Sequence, residues 1–157
     1  MTEHHKPSLA EAQALAEATR DAMFSRDRAA QALGIKIVAI RPGYALLTMV
    51  VRSDMVNGHH ICHGGMIFAL ADTAFAYACN SYNKATVASA CNIDFLAPGK
   101  EGATLSAEAI EQSLSGRTGV YDVTVKDDSG KTVALFRGKS YRINGEVIAG
   151  LQQADQT

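Results

Sequence analysis

Asp72 interrupts a run of hydrophobic and small residues that reaches from Met66 to Cys79, with Thr73 as its only other polar member. A helix that is apolar all round is expected to be buried all round. An ionised carboxylate there is costly unless it is paired, hydrogen-bonded or protonated. No basic residue lies within one helical turn of Asp72, so the sequence near it offers no counter-ion. A carboxylate in such surroundings is a candidate for acid–base work. The same run opens on His63-Gly64-Gly65. Amides at a helix start have no intrahelical acceptor, and the helix dipole favours negative charge there. Glycine also lets a ligand come close to the backbone. A perturbed acid and an amide-rich helix tip are thus encoded within one short segment.

The elements that must position these groups follow from periodicity and punctuation. Ser8 followed by Glu11 has the spacing of a capping box. From Leu9 to Leu33 good helix formers dominate, Ser25 offers a break, and Gly34 is a stop signal. Ile35–Ile40 and Tyr44–Val51 are strand-like, and Arg41-Pro42-Gly43 between them predicts a hairpin. Asn57-Gly58 marks a loop, and the apolar helix is expected from His63 or Gly64 to about Ser81. Further strands are expected over Thr86–Leu96, Ala103–Leu114, Thr118–Lys126 and Thr132–Ile143. The arrangement is α+β without βαβ alternation: an antiparallel sheet wrapped around one long central helix, with an N-terminal helix. Residues 1–7 are expected to be disordered, 8–144 to form a single domain, and 145–157 to be a frayed tail.

The chain has 157 residues, a formal net charge of −1 and 20% charged residues, an ordinary composition for one globular domain. That balance argues against nucleic-acid binding. Cys62, Cys79 and Cys91 are odd in number and form no CxxC pair, which fits a reduced, cytoplasmic protein. The longest apolar stretch is shorter than the roughly 20 residues of a membrane span, and no membrane association is expected. His59 and His63 are four apart but are expected to straddle a loop and a helix start, with no Glu between them, so no metal is expected.

The stretch Asn57-Gly58-His59-His60-Ile61-Cys62-His63-Gly64-Gly65, followed by Ala71-Asp72-Thr73-Ala74-Phe75-Ala76, resembles the hotdog-fold acyl-CoA thioesterases of the phenylacetate-degradation type. Val87–Leu96, Thr118–Asp122 and Thr132–Ser140 agree as well, so the resemblance covers roughly residues 32–143. It implies hydrolysis of aryl- or acyl-CoA thioesters, coenzyme A being part of the substrate and no separate cofactor being needed. It also implies a homodimer unit, commonly paired into a tetramer. On this resemblance Gly64 polarises the thioester carbonyl through its N–H. Asp72 acts as general base on water or as nucleophile. Asn57 orients water or thioester, unless it only makes the turn usual for Asn-Gly. His63 closes the helix start or takes part directly. Gly65, Phe68, Thr73 and Ser89 are candidate substrate contacts. Phe68, Phe75 and Tyr77 could line an acyl pocket, although apolar residues on a buried helix are usually core. Arg117, Arg137 and Lys139 are candidate phosphate contacts. Two other readings are an enoyl-thioester hydratase or dehydratase using His63 and Asp72, although the Phe-Pro-Gly type loop of dehydratases is absent, and a non-catalytic acyl-CoA sensor.

Helix dimensions add a demand of their own. Eight residues separate Gly64 from Asp72, which is ~12 Å along the axis with a large rotation between them. One helix cannot aim both groups at one carbonyl. A second copy running antiparallel beside the first could bring its Asp72 to this Gly64, and Ala69, Ala74, Ala76 and Ala78 are small enough for close approach. The expectation is composite sites at a two-fold interface, two per dimer.

Overall fold

Two capped helices lead into the sheet. In the computed structural model, which describes residues 5–149, helix α1 spans Leu9–Phe24 and α2 spans Arg28–Ala32. The capping box forms as expected: the Glu11 N–H donates to Ser8 Oγ at 3.2 Å, and the Ser8 N–H donates to the Glu11 carboxylate at 2.6 Å. Asp27 caps α2 by accepting from the Ala30 N–H at 3.0 Å. The expected break at Ser25 is real, since Ser25 is the C-cap of α1.

Six strands follow: β1 Lys36–Arg41, β2 Tyr44–Val50, β3 Thr86–Phe95, β4 Thr104–Ser115, β5 Thr118–Lys126 and β6 Thr132–Arg142. They form one sheet in the order β1-β2-β4-β5-β6-β3, and every neighbouring pair is antiparallel. The long helix α3, Gly64–Asn80, lies on one face. Period-two alternation sends Leu105, Ala107 and Ala109 of β4 and Tyr121, Val123 and Val125 of β5 into the core beneath it. Phe75 of α3 seats its ring directly on the β6 backbone. A Cβ at Gly138 would stand 2.8 Å from that ring, so only glycine fits there.

Two expectations are corrected. The helix is not buried on every side: Met66, Ala69, Asp72, Thr73 and Ala76 form a half-buried stripe that the sheet does not cover. The sheet has only one concave face to offer, so it buries Ile67, Leu70, Ala71, Ala74 and Ala78 and leaves the opposite side open. The stripe lies beside β3, an edge strand whose outer edge has no strand partner among the described residues. The second correction concerns the tail. Over residues 145–149 it is held rather than frayed: the Ile148 N–H donates to Asn83 Oδ1 at 2.8 Å, the Asn83 side chain donates back to the Ile148 carbonyl at 3.1 Å, and the Ala85 N–H donates to the Gly145 carbonyl. Residues 1–4 and 150–157, where disorder and the rest of the tail were expected, lie outside the described residues. No described helix is long and apolar enough to cross a membrane.

Candidate active site at the tip and open side of the long helix

The start of α3 is fixed by its neighbours before any side chain acts. The Cys62 N–H donates to the Gly99 carbonyl and the His63 N–H to the Met55 carbonyl, each at 2.8 Å. Asn57 shapes the preceding loop by accepting, through Oδ1, from the N–H groups of His59 (2.9 Å) and Ile61 (3.4 Å). This is the turn role open to Asn-Gly, and it commits that oxygen. Asn57 also lines the cleft at the helix tip.

His63 is the N-cap, and its Nδ1 accepts from the Gly65 N–H at 2.9 Å. That bond distinguishes the two glycines. The Gly65 amide, a candidate substrate contact in the sequence, is already taken by the capping imidazole. The Gly64 amide has no hydrogen-bond partner among the described residues. Gly64 lines a cleft of about 420 Å³ together with Asn57, Ile61, Ile67, Phe95 and Leu96. An unmatched amide at a helix start with a mostly apolar surround is a favourable place for a developing oxyanion.

Asp72 lies two turns further along, on the open stripe. Burial raises its carboxyl above the ordinary aspartate value, and no described cation pairs with it. Its closest side-chain partner is the Cys91 thiol of β3, with Sγ 4.0 Å from Oδ1. Burial, and then the neighbouring Asp72 charge, push the Cys91 thiol up as well.

The inner side of β3 acts as a ruler for the site. Cys91 reaches Asp72, while Phe95, four residues later, stands against Gly64: a Cβ on that glycine would meet Phe95 Cζ at 3.1 Å. Four strand residues cover ~13 Å, which agrees with the ~12 Å that eight helical residues cover. Within one chain, then, the acid and the amide tip are too far apart to meet at one carbonyl. Sequence reading gave neither Cys91 nor Phe95 a role. Their period-two spacing on β3 was visible, but not which side of that strand turns toward α3.

The remaining candidates separate clearly. Thr73 sits on the open stripe and donates its hydroxyl to the Ala69 carbonyl at 2.6 Å. Ser89 is the extra residue of a bulge in β3, between Ala88 and Ala90, and donates to the Lys139 carbonyl at 3.1 Å. Phe68 is half-buried, edge-on to Phe136 with ring centroids 5.4 Å apart. Phe75 and Tyr77 are core, as expected, and the Tyr77 hydroxyl donates to Asp27. Arg137 and Lys139 do share a face, but it is the outer face of the sheet, away from α3. Arg137 is held there by a bidentate pair with Asp122, at 2.7 and 2.9 Å, its direct neighbour across β5–β6. Arg117 donates to the Arg142 carbonyl and to Asn144, at the far end of the sheet from Gly64. It lines a second concavity there, with Lys84 and Arg142.

Residues 59–134 match the thioesterase superfamily. The chain is 56% identical over 126 residues to the acyl-coenzyme A thioesterase PaaI of Escherichia coli, a match covering 80% of this chain and 90% of that protein. The chain belongs to the PaaI-type hotdog thioesterases. The solved structure of the Escherichia coli PaaI protein from the phenylacetic acid degradation operon superposes with a TM-score of 0.85 at 52% identity, covering 88% of this chain and 99% of that one. A Streptococcus mutans protein solved with acetyl-CoA superposes at 0.69 with 26% identity, covering 71% of this chain and 90% of its own. Hotdog membership accounts for the layout: one long helix laid on an antiparallel sheet, entered here through His63-Gly64-Gly65.

Proposed function

We propose that this protein hydrolyses aryl- and acyl-CoA thioesters, phenylacetyl-CoA-like substrates among them, to the free acid and CoA. Its site is shared between two copies of the chain. The carrying observation is the pair of groups on α3 that are unmet among the described residues: a half-buried Asp72 with no cation, and a Gly64 amide with no acceptor, two helical turns apart. The names of the PaaI relative and of the acetyl-CoA complex support the substrate class.

The arrangement supports the following chemistry. The thioester carbonyl oxygen accepts from the Gly64 N–H, which strengthens its hold as negative charge grows on that oxygen. The partner subunit's Asp72 accepts a proton from water as water attacks the carbonyl carbon, or attacks that carbon itself. Collapse of the tetrahedral intermediate breaks the C–S bond and releases the CoA thiolate, which takes up the proton; on the nucleophilic route water then cleaves the acyl–Asp72 anhydride, giving the free acid and the Asp72 carboxylate. His63 keeps Gly65 and the helix entry in place so that the Gly64 amide is aimed into the cleft. Asn57 borders the same cleft and orients the water or thioester.

The free edge of β3 and the open stripe of α3 give the second copy a place to sit. Antiparallel pairing of two β3 edges about Ile93 would set the partner's Cys91 opposite Phe95, and with it the partner's Asp72 opposite Gly64. Two such dimers form the proposed tetramer. Three free cysteines suit a reducing, cytoplasmic setting. Arg117, which among the described residues donates only to the neutral Arg142 carbonyl and Asn144 side chain, supplies a cationic contact for the CoA phosphates. Arg137 is less suited because Asp122 already occupies its guanidinium.

Mixing two inactive proteins tests the shared site. Asp72→Asn chains and Gly64→Val chains, each inactive alone, should recover thiol release after co-refolding, because a mixed dimer contains one intact composite site. Failure to recover any activity, with mixed dimers verified by mass, would refute the shared arrangement.

A further inference from the structure

Phe95 is the last residue of β3 and continues the inner face that carries Cys91 and Ile93. It lies at the first turn of α3, and in the single chain it is 53% exposed although it is a large aromatic side chain. Its ring is nevertheless placed closely. Three ring carbons lie 3.1, 3.3 and 3.6 Å from where a Gly64 Cβ would be, so the ring lies against the backbone whose amide has no acceptor.

A carbonyl oxygen bound to that amide sits about 2.9 Å from the nitrogen. The carbonyl carbon is one bond further, which brings its two substituents, the acyl α-carbon and the sulfur, within reach of the ring. The lining of the cleft bears on which substituent lies there. With Phe95 it is lined by Ile61, Ile67, Leu96 and Pro98, with Asn57 as its polar amide side chain, a mostly apolar set suited to a hydrocarbon or aryl group and poorly suited to the two amides of pantetheine.

We propose that Phe95 is a specificity-determining residue, its ring forming the wall against which the acyl group lies while the carbonyl is held at Gly64. The proposal rests on the thioesterase reading above. An aryl group placed there meets an aromatic edge or face, a contact worth a factor of roughly 2 to 12 beyond simple burial. A short straight acyl chain gains less from the same wall.

The test is the ratio of kcat/KM for phenylacetyl-CoA to that for butyryl-CoA, measured by thiol release for wild type, Phe95→Ala and Phe95→Leu. The expected ratio falls about 3- to 10-fold in the alanine variant, with an intermediate value for leucine. Melting temperatures check that both variants are folded, and if alanine unfolds the protein the leucine ratio decides. A ratio that stays at the wild-type value, whether both substrates slow equally or neither does, overturns the proposal. Equal slowing would place the ring on the sulfur side. Absence of hydrolysis by the wild type would instead overturn the thioesterase reading itself, and the two failures are therefore distinct.

Discussion

The two ends of α3 are built to opposite rules. At the C-terminal end nearly every polar group has a partner. Asn80 donates to the carbonyls of Ala76 and Thr86 and accepts from the Thr86 N–H, all within 3.0 Å. Ser81 donates to Ala78 and accepts from the Gly43 N–H. Tyr82 and Tyr121 both donate to one Glu111 oxygen, at 2.9 and 2.8 Å, and burial holds both phenols protonated far above the ordinary range. At the N-terminal end Gly64 lines a cleft with its amide unmatched, and two turns on Asp72 is half-buried with no cation paired to it among the described residues. The difference teaches how the fold keeps unmet groups in place: the C-terminal end of the helix is fastened to the β1–β2 turn, β3 and β4, so the other end can present reactive groups without drifting. A site made of unsatisfied groups is destabilising by itself and persists only on a rigid support.

The largest effect expected from breaking this contrast is at Asp72. Asp72→Asn should lower kcat by at least ~100-fold, the scale of general acid–base catalysis. Its stability should not fall. Burial raises the Asp72 carboxyl, so the folded state holds that proton more tightly than the unfolded chain. Stability from this group is therefore lost as pH rises through the window between the unfolded and folded values, and the penalty persists above it. At neutral pH the asparagine variant should melt no lower than wild type, and in wild type the acid limb of kcat/KM should lie above the ordinary aspartate range. A pH–rate profile and a thermal melt check both. A variant that melts clearly lower would make Asp72 a structural acid.

Gly64→Ala comes next, with an expected loss of about 10- to 100-fold in kcat/KM, the scale of a displacement near the reacting groups. The amide remains, but the new methyl would press on Phe95 Cζ at 3.1 Å and displace either the ring or the docking carbonyl. Alanine is a better helix former than glycine, so the melting temperature should not drop. Full activity in this variant would mean that the cleft at the tip is not where the carbonyl binds.

The smallest expected effect on activity is at the fastened end. Asn80→Ala leaves the buried amide and carbonyl of Thr86 unmatched and should cost about 1–3 kcal/mol of stability, read by urea titration. Well below the melting temperature, kcat and KM should stay near wild type. A loss of turnover without a loss of stability would show that the two ends are not separable.

Much of this was legible in the chain because it is local. The Ser8–Glu11 capping box, the break at Ser25 and the Pro42-Gly43 turn depend on residues a few positions apart, and they form where expected. The spacing of Gly64 and Asp72 is also local, so their separation followed from helix dimensions. The unreadable parts depend on register. Asp122 and Arg137 are fifteen residues apart and become a bidentate pair only because β5 and β6 align them. Asn83 clamps Ile148 only after α3 has ended and β6 has returned to the same place.

By itself the sequence determined the elements, their order, the acid in an apolar helix and the glycine tip, since periodicity and capping act through neighbours within a turn or two. Tertiary structure alone decided which glycine amide stays open, which side of α3 the sheet leaves bare, and that Phe95 overhangs the helix tip. Those outcomes depend on how far strands slide past each other and where a helix comes to rest on a sheet, and both are set by packing among residues distant in the chain.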